Sequence, residues 1–246
     1  MDIKNSGYNI VFPRIENLRR KAFDIEDSLK DYFTNANIIP VPDNAPAEIP
    51  RIQSTSHNGH SNLNISLNNA QLVTNFDGDY NTNVNAALSY LEERVYTVAN
   101  MLEKYTNGIF LFSGLTTEVI FKKEHPVEHM IDTFFKHSPT KGSSLHEVNL
   151  KTTQIVDDKY YANISISNER TYEGQVSGFE DVVSFADLEL KQHSLKVTLD
   201  INDRHGFNTQ KNYTSSISEV KRIFELNREI LELKLENLIK EGVLDL

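Results

Sequence analysis

The chain has 246 residues, 39% hydrophobic and 24% charged, proportions that suit a soluble globular protein with a sizeable core. Its net charge of −10 argues against broad, sequence-independent nucleic-acid binding, which needs cations to displace phosphate counterions. The absence of Cys excludes disulfides, thiolate chemistry and cysteine-ligated metal in one step.

Met1-Asp2-Ile3-Lys4-Asn5 carries no apolar signal core, and no run approaches the roughly 20 apolar residues of a membrane span. The expected compartment is the cytoplasm, with no membrane partner.

Residues 8–12 read as a short strand stopped by Pro13. A helical pattern follows from Arg14, with Ile15, Leu18, Ala22, Ile25, Leu29, Tyr32 and Phe33 on one side. Residues 35–50 hold Pro40, Pro42, Pro46 and Pro50, which favour an extended path. Residues 49–56 then suit a sheet edge, where a missing N–H is tolerated.

The stretch 62–105 organises the chain. Leu63, Ile65 and Leu67 alternate with polar residues, and Ala70, Leu72 and Thr74 alternate back. Asn68-Asn69 between them predicts a two-residue type I′ turn, pairing Leu67 with Ala70 and Ile65 with Leu72. Val84, Leu88, Leu91, Val95, Val98, Leu102 and Tyr105 then form one stripe along a helix, stopped by Asn107-Gly108.

The apolar run 109–112 leads into the alternating Leu115, Thr117, Val119 and Phe121, one long strand or two collinear ones. Pro126 opens a short helix, and 140–144 reads as a loop. Strands are expected at 147–156, 160–167, 182–190 and 195–203, with turns at Asp157-Asp158 and at 191–194. Residues 204–214 read as a polar loop. Ser215 or Ser216 caps a final helix to about Glu241, apolar over an unusually wide arc.

The order strand, helix, antiparallel strands, long helix occurs in both 1–107 and 108–246. The expected fold is therefore α+β: antiparallel sheets covered by long helices, built from a duplicated unit and packed as one compact body.

The segments Glu48-Ile49-Pro50-Arg51-Ile52, Leu63-Asn64-Ile65-Ser66 and Leu195-Lys196-Val197-Thr198-Leu199-Asp200-Ile201, the last followed by a terminal helix, carry a resemblance. The chain resembles a sporadically distributed family of bacterial proteins of unknown function. The resemblance implies a duplicated α+β unit and brings no catalytic residue with it.

His125-Pro126-Val127-Glu128-His129 matches the H-x-x-E-H pattern of inverted zinc peptidases, which needs both imidazoles on one helical face and the Glu as general base. Pro126 favours the first helical turn, so His125 falls at the cap, off the facing position. The site residues for a metal-dependent hydrolase are thus His125, Glu128 and His129, and the expectation is no metal and no cofactor. Arg14, Arg19, Arg20 and Lys21 form the one dense basic cluster, read as a solvated face or as a dock for an acidic partner or phosphate. Asp200-Ile201-Asn202-Asp203 places carboxylates at a strand end, which turn chemistry explains without a metal. No phosphate-cradling Gly-rich loop, nucleophile elbow or dinucleotide fingerprint occurs.

On the final helix, Leu226 and Leu233 are seven apart, as are Phe224 and Leu231. Two such rows predict two buried sides, one against the sheet and one against either the helix 84–105 or another chain, and the expectation is an interface formed by Leu226, Leu233, Phe224 and Leu231. The leading expectation is an interaction or adaptor protein that self-associates or joins a larger complex. The alternatives are the hydrolase and a small-ligand binder using a pocket between the half-sheets.

Overall fold

A computed structural model of the chain describes residues 1–42, 44–135, 145–174 and 184–244. It is an α+β fold. The strands are β1 (Asp2–Val11), β2 (Asn37–Ile38), β3 (Ile52–Thr55), β4 (Ser61–Ile65), β5 (Asn69–Asn75), β6 (Phe112–Lys122), β7 (Asn149–Val156), β8 (Tyr160–Glu173) and β9 (Glu189–Asn202). They form one antiparallel sheet in the order β2-β3-β4-β5-β1-β6-β9-β8-β7.

The helices are α1 (Ala22–Leu29), α2 (Gly78–Thr82), α3 (Val84–Thr106), α4 (Pro126–Phe134), α5 (Arg204–Thr209), α6 (Ile217–Glu229) and α7 (Leu235–Glu241). Outward from the β1–β6 seam, the strands run β1, β5, β4, β3 on one side and β6, β9, β8, β7 on the other.

At that seam Ser6 Oγ donates to Thr117 Oγ1 (3.3 Å), and Thr117 Oγ1 donates to Asn227 Oδ1 of α6 (3.4 Å). All three residues are buried. A buried hydroxyl needs such a partner, because leaving it unpaired costs about 1–3 kcal/mol.

α3 keeps its stripe: Leu88, Leu91, Val95, Val98 and Leu102 are buried. The side chain of Asn83 accepts from the N–H of Ala86 (3.0 Å), and Asn107 (φ 54°) ends the helix in the left-handed region. Ser216 caps α6, its Oγ accepting from the N–H of Ser218 (3.2 Å). A π-helical turn, Ile230–Lys234, separates α6 from α7. It inserts an extra residue into the helical turn and so breaks the seven-residue phase.

The hairpin β4–β5 departs from the expected register. Ile65 pairs with Ala70 and Leu63 with Leu72, two positions from the pairing that a turn at Asn68-Asn69 imposes, so the two turn residues are Leu67 and Asn68. Ser66 is the cause. Its N–H donates to Asn69 O (2.8 Å), while its Oγ accepts from the N–H groups of Asn69 (3.0 Å) and Asn68 (3.3 Å). The hydroxyl thus takes the bond that the Ser66 carbonyl would make in a two-residue turn. A shift of two preserves the faces, so Ile65 and Leu72 are both buried. The positive-φ pair occurs in the β7–β8 turn, at Asp157 (φ 53°) and Asp158 (φ 50°).

Four further differences are local. β1 begins at Asp2 rather than Tyr8, because pairing with both β5 and β6 carries it past its apolar segment. The expected turn at 191–194 is absent: β9 runs unbroken through it, held along its length by β8. The expected strand at 182–190 becomes a 3-10 turn, Phe185–Asp187, before β9, with residues 182 and 183 outside the described set, as is the 140–144 loop. The polar loop after β9 contains α5.

Candidate association edge

The two outer edges of the sheet differ. On the β3 side the two-residue β2 covers the edge, and Thr34 and Ile39 extend the cover by donating to Thr55 O (2.8 Å) and Arg51 O (2.9 Å). The proline-bearing chain beyond is tied down by Arg51, which is buried and donates to the carbonyls of Ile49 (2.6 Å), Ala45 (3.0 Å) and Pro46 (3.3 Å).

β7 has no such cover. Among the described residues its outer edge pairs with nothing. Its eight residues, Asn-Leu-Lys-Thr-Thr-Gln-Ile-Val, contain one charge and no proline, and Ile155 is 54% exposed. Edge strands are normally blunted by charge, proline, bulges or brevity; β7 has only Lys151.

Behind it lies a space between the β7–β8 face and helices α4 and α7. A hollow of about 190 Å³ is lined by Phe134, Leu150, Ile164, Ile166, Leu238 and Leu244. The adjacent Val243 is 59% exposed.

The final helix does not present the expected rows. Phe224, Leu226 and Leu231 are buried in the chain's own core, whereas Leu233 is 74% exposed. Leu226 and Leu233 do not share an environment, because the π-turn lies between them. Phe224 packs between Tyr8 of β1 (5.5 Å between ring centroids) and Tyr96 of α3 (5.9 Å).

The H-x-x-E-H segment is part of the α4 docking. His125 occupies the cap position with non-helical angles (φ −128°, ψ 72°), as Pro126 at the helix start requires. The Nε2 of His129 lies 2.8 Å from the carbonyl oxygen of Ile239, bonding α4 to α7. Glu128 lies in the first turn of α4, where a carboxylate suits the helix dipole. Among the described residues no group of three or more His, Asp or Glu is placed to hold a metal ion.

The basic cluster is largely engaged. Arg14 pairs with Glu16 (2.9 Å), Arg19 donates to the carbonyl of Val41, and the Lys21 ammonium lies 5.1 Å from the Tyr105 ring centre. Arg20 is exposed.

Just after the end of β9, Asp203 is wholly buried. Its Oδ1 accepts from the Ser113 N–H (2.6 Å) and its Oδ2 from the Tyr213 hydroxyl (2.8 Å). Burial raises the Asp203 carboxyl above the usual range, although these bonds oppose the rise. The same burial, with the Asp203 charge beside it, raises the Tyr213 phenol. This is a structural clamp joining β6, the end of β9 and the chain after α5.

Matched against protein-family models and against curated proteins, the chain is similar to none of them. No helix among the described residues is long and apolar enough to cross a membrane.

Proposed function

We propose that the protein acts by association, as a homodimer or complex subunit that joins through the outer edge of β7. One observation carries this reading: an eight-residue, proline-free edge with one charge, unpaired among the described residues and beside a largely apolar hollow. Strand addition gives affinity through main-chain hydrogen bonds, and side-chain hollows give it specificity.

A second copy is the occupant that fits the symmetry. Two β7 strands related by a two-fold axis pair antiparallel, and an axis perpendicular to the sheet keeps both helix layers on the same side. A register centred on Thr152 sets Lys151 opposite Thr153; one centred on Thr153 sets it opposite Ile155. In neither do the two lysines face each other. The contact would be about 27 Å long, at roughly 3.4 Å per residue.

The same reading takes the chain as a duplicated unit, in keeping with the bacterial family it resembles. The mirrored strand order about the β1–β6 seam supports this. Antiparallel pairing of equivalent first strands joins the halves, and antiparallel pairing of equivalent last strands would join the copies.

The test is molar mass by light scattering over a concentration series, for the wild type and for Thr153→Lys with Ile155→Lys. A dimer that the double variant converts to a monomer with unchanged circular dichroism is the expected result. A wild type that stays monomeric at every concentration, or a dimer indifferent to the lysines, overturns the proposal.

A further inference from the structure

The face of the sheet opposite α3 and α6 carries a groove of about 370 Å³ across the β1–β6 seam. It crosses β5, β1, β6 and β9, with β8 between it and the β7 edge. Its size lies near the lower end for small-molecule sites.

The floor is open because two positions on this face, diagonal across the β1–β6 pair, are glycine: Gly7 lies opposite Thr116, and Gly114 opposite Asn9. Gly114 is demanded by packing: a Cβ there would lie 2.8 Å from the Cβ of Asn202. Gly7 is not, since a Cβ at that position meets nothing within 4 Å. Glycine inside a strand costs roughly 0.5–1 kcal/mol relative to alanine, and it marks places where another molecule comes close to the backbone. No described residue comes within 4 Å of the space that a Gly7 side chain would begin to fill.

The walls are polar and hold unspent hydrogen-bonding groups. The Arg204 guanidinium lies over the Phe112 ring, 4.9 Å from its centre, and Phe112 in turn packs on Phe207 (5.2 Å). Arg204 lines the groove and makes no side-chain hydrogen bond or ion pair with any described residue, which leaves its five N–H donors available. The side chains of Asn9, Gln71 and Thr116 likewise make no hydrogen bond among the described residues.

Asp200 is oriented for accepting. Its two oxygens receive the side-chain amides of Asn202 (3.1 Å) and Asn163 (3.0 Å), and each retains acceptor capacity.

We propose that this groove binds a hydroxyl-rich molecule of monosaccharide size carrying one oxyanion, a carboxylate or a phosphate. Arg204, held flat by Phe112, takes the oxyanion through paired N–H donors. Asp200 accepts from ligand hydroxyls, and the amides of Asn9 and Gln71 both donate and accept. The backbone at Gly7 lets the ring settle between these walls. Asp200 disfavours a second negative group at its end of the groove, which limits the ligand to one anionic end.

The experiment is a titration of the isotope-labelled protein, followed by amide shifts, with glucose 6-phosphate, gluconate, glucose and inorganic phosphate as separate probes. Glucose 6-phosphate or gluconate is expected to shift the Gly7 and Gly114 amides and to bind at least about tenfold more tightly than glucose or phosphate alone. The stronger of the two anions identifies the oxyanion. Arg204→Met, which keeps an apolar side chain on Phe112, should erase the preference over glucose. Gly7→Val should fill the floor and abolish the shifts while leaving the melting temperature at or above that of the wild type. Absence of shifts with all four probes at millimolar concentration overturns the proposal, as do shifts that survive Gly7→Val. Neither outcome depends on the oligomeric state, so failure here leaves the β7 reading standing.

Discussion

Tyr8 of β1 lies flat against Phe224 of α6, with ring centroids 5.5 Å apart and planes 6° apart. This stack ties the first strand of one half to the long helix of the other, and both residues are among the most buried in the chain. Its loss would be felt on both sides of the seam.

Phe224→Ala is expected to cost about 3–5 kcal/mol in urea unfolding, the usual range for a buried aromatic. Leu226→Glu should be severe as well, because it buries an unpaired carboxylate. Leu233→Glu should change stability by no more than about 0.5 kcal/mol, since that side chain is 74% exposed. Equal losses for Leu226→Glu and Leu233→Glu would contradict the phase shift made by the π-turn.

Ser66→Ala tests the β4–β5 turn. It removes the acceptor for the N–H groups of Asn68 and Asn69, with an expected cost of about 1–3 kcal/mol and faster hydrogen exchange at Asn69. Ser66→Thr keeps the hydroxyl and should exchange nearly as the wild type does. If the alanine variant matches the wild type in both stability and exchange, the hydroxyl does not set the register.

Asp203 makes stability depend on pH with a sign opposite to that of a salt-bridged carboxylate. Burial raises its carboxyl in the folded chain, so between the ordinary Asp range and the raised value the folded state binds more protons. Its contribution therefore falls as pH rises through that window. Glu219 has the opposite sign. Burial would raise its carboxyl, but the hydroxyls of Ser216 and Ser218 and the Lys159 ammonium outweigh burial and lower it. The stability it adds is lost as pH falls. Asp203→Asn removes the Asp203 titration and can keep an acceptor for the Ser113 N–H. The difference in unfolding free energy, variant minus wild type, should become more positive as pH rises through the Asp203 window. A difference that stays flat with pH would mean that Asp203 titrates normally.

Most of the strands, α3, the capped final helix and the α+β class were legible in the sequence, because burial on one face leaves a period that local composition preserves. Leu88, Leu91, Val95, Val98 and Leu102 show it for a helix, and Leu63, Ile65, Ala70 and Leu72 for a hairpin. The cap positions of His125 and Ser216 were legible too, since proline and serine act on their own neighbours.

What the tertiary structure alone decided depends on residues far apart in the chain. β9 passes unbroken through an apparent turn at 191–194 because β8 supplies its partners. Asn68-Asn69 has the composition of a type I′ turn, yet the chain turns one residue earlier, at Leu67-Asn68, where the Ser66 hydroxyl accepts from the N–H groups of Asn68 and Asn69. The Phe224, Leu226 and Leu231 side chains enter the chain's own core, because the sheet and α3 offer two surfaces at once and the π-turn rotates Leu233 away. The groove over Gly7 draws on four strands and the start of α5, and the β7 edge is defined by what fails to pair with it. Periodicity reports whether a residue faces inward. Which segment meets it there is set by packing across the whole sheet, and no local pattern carries that information.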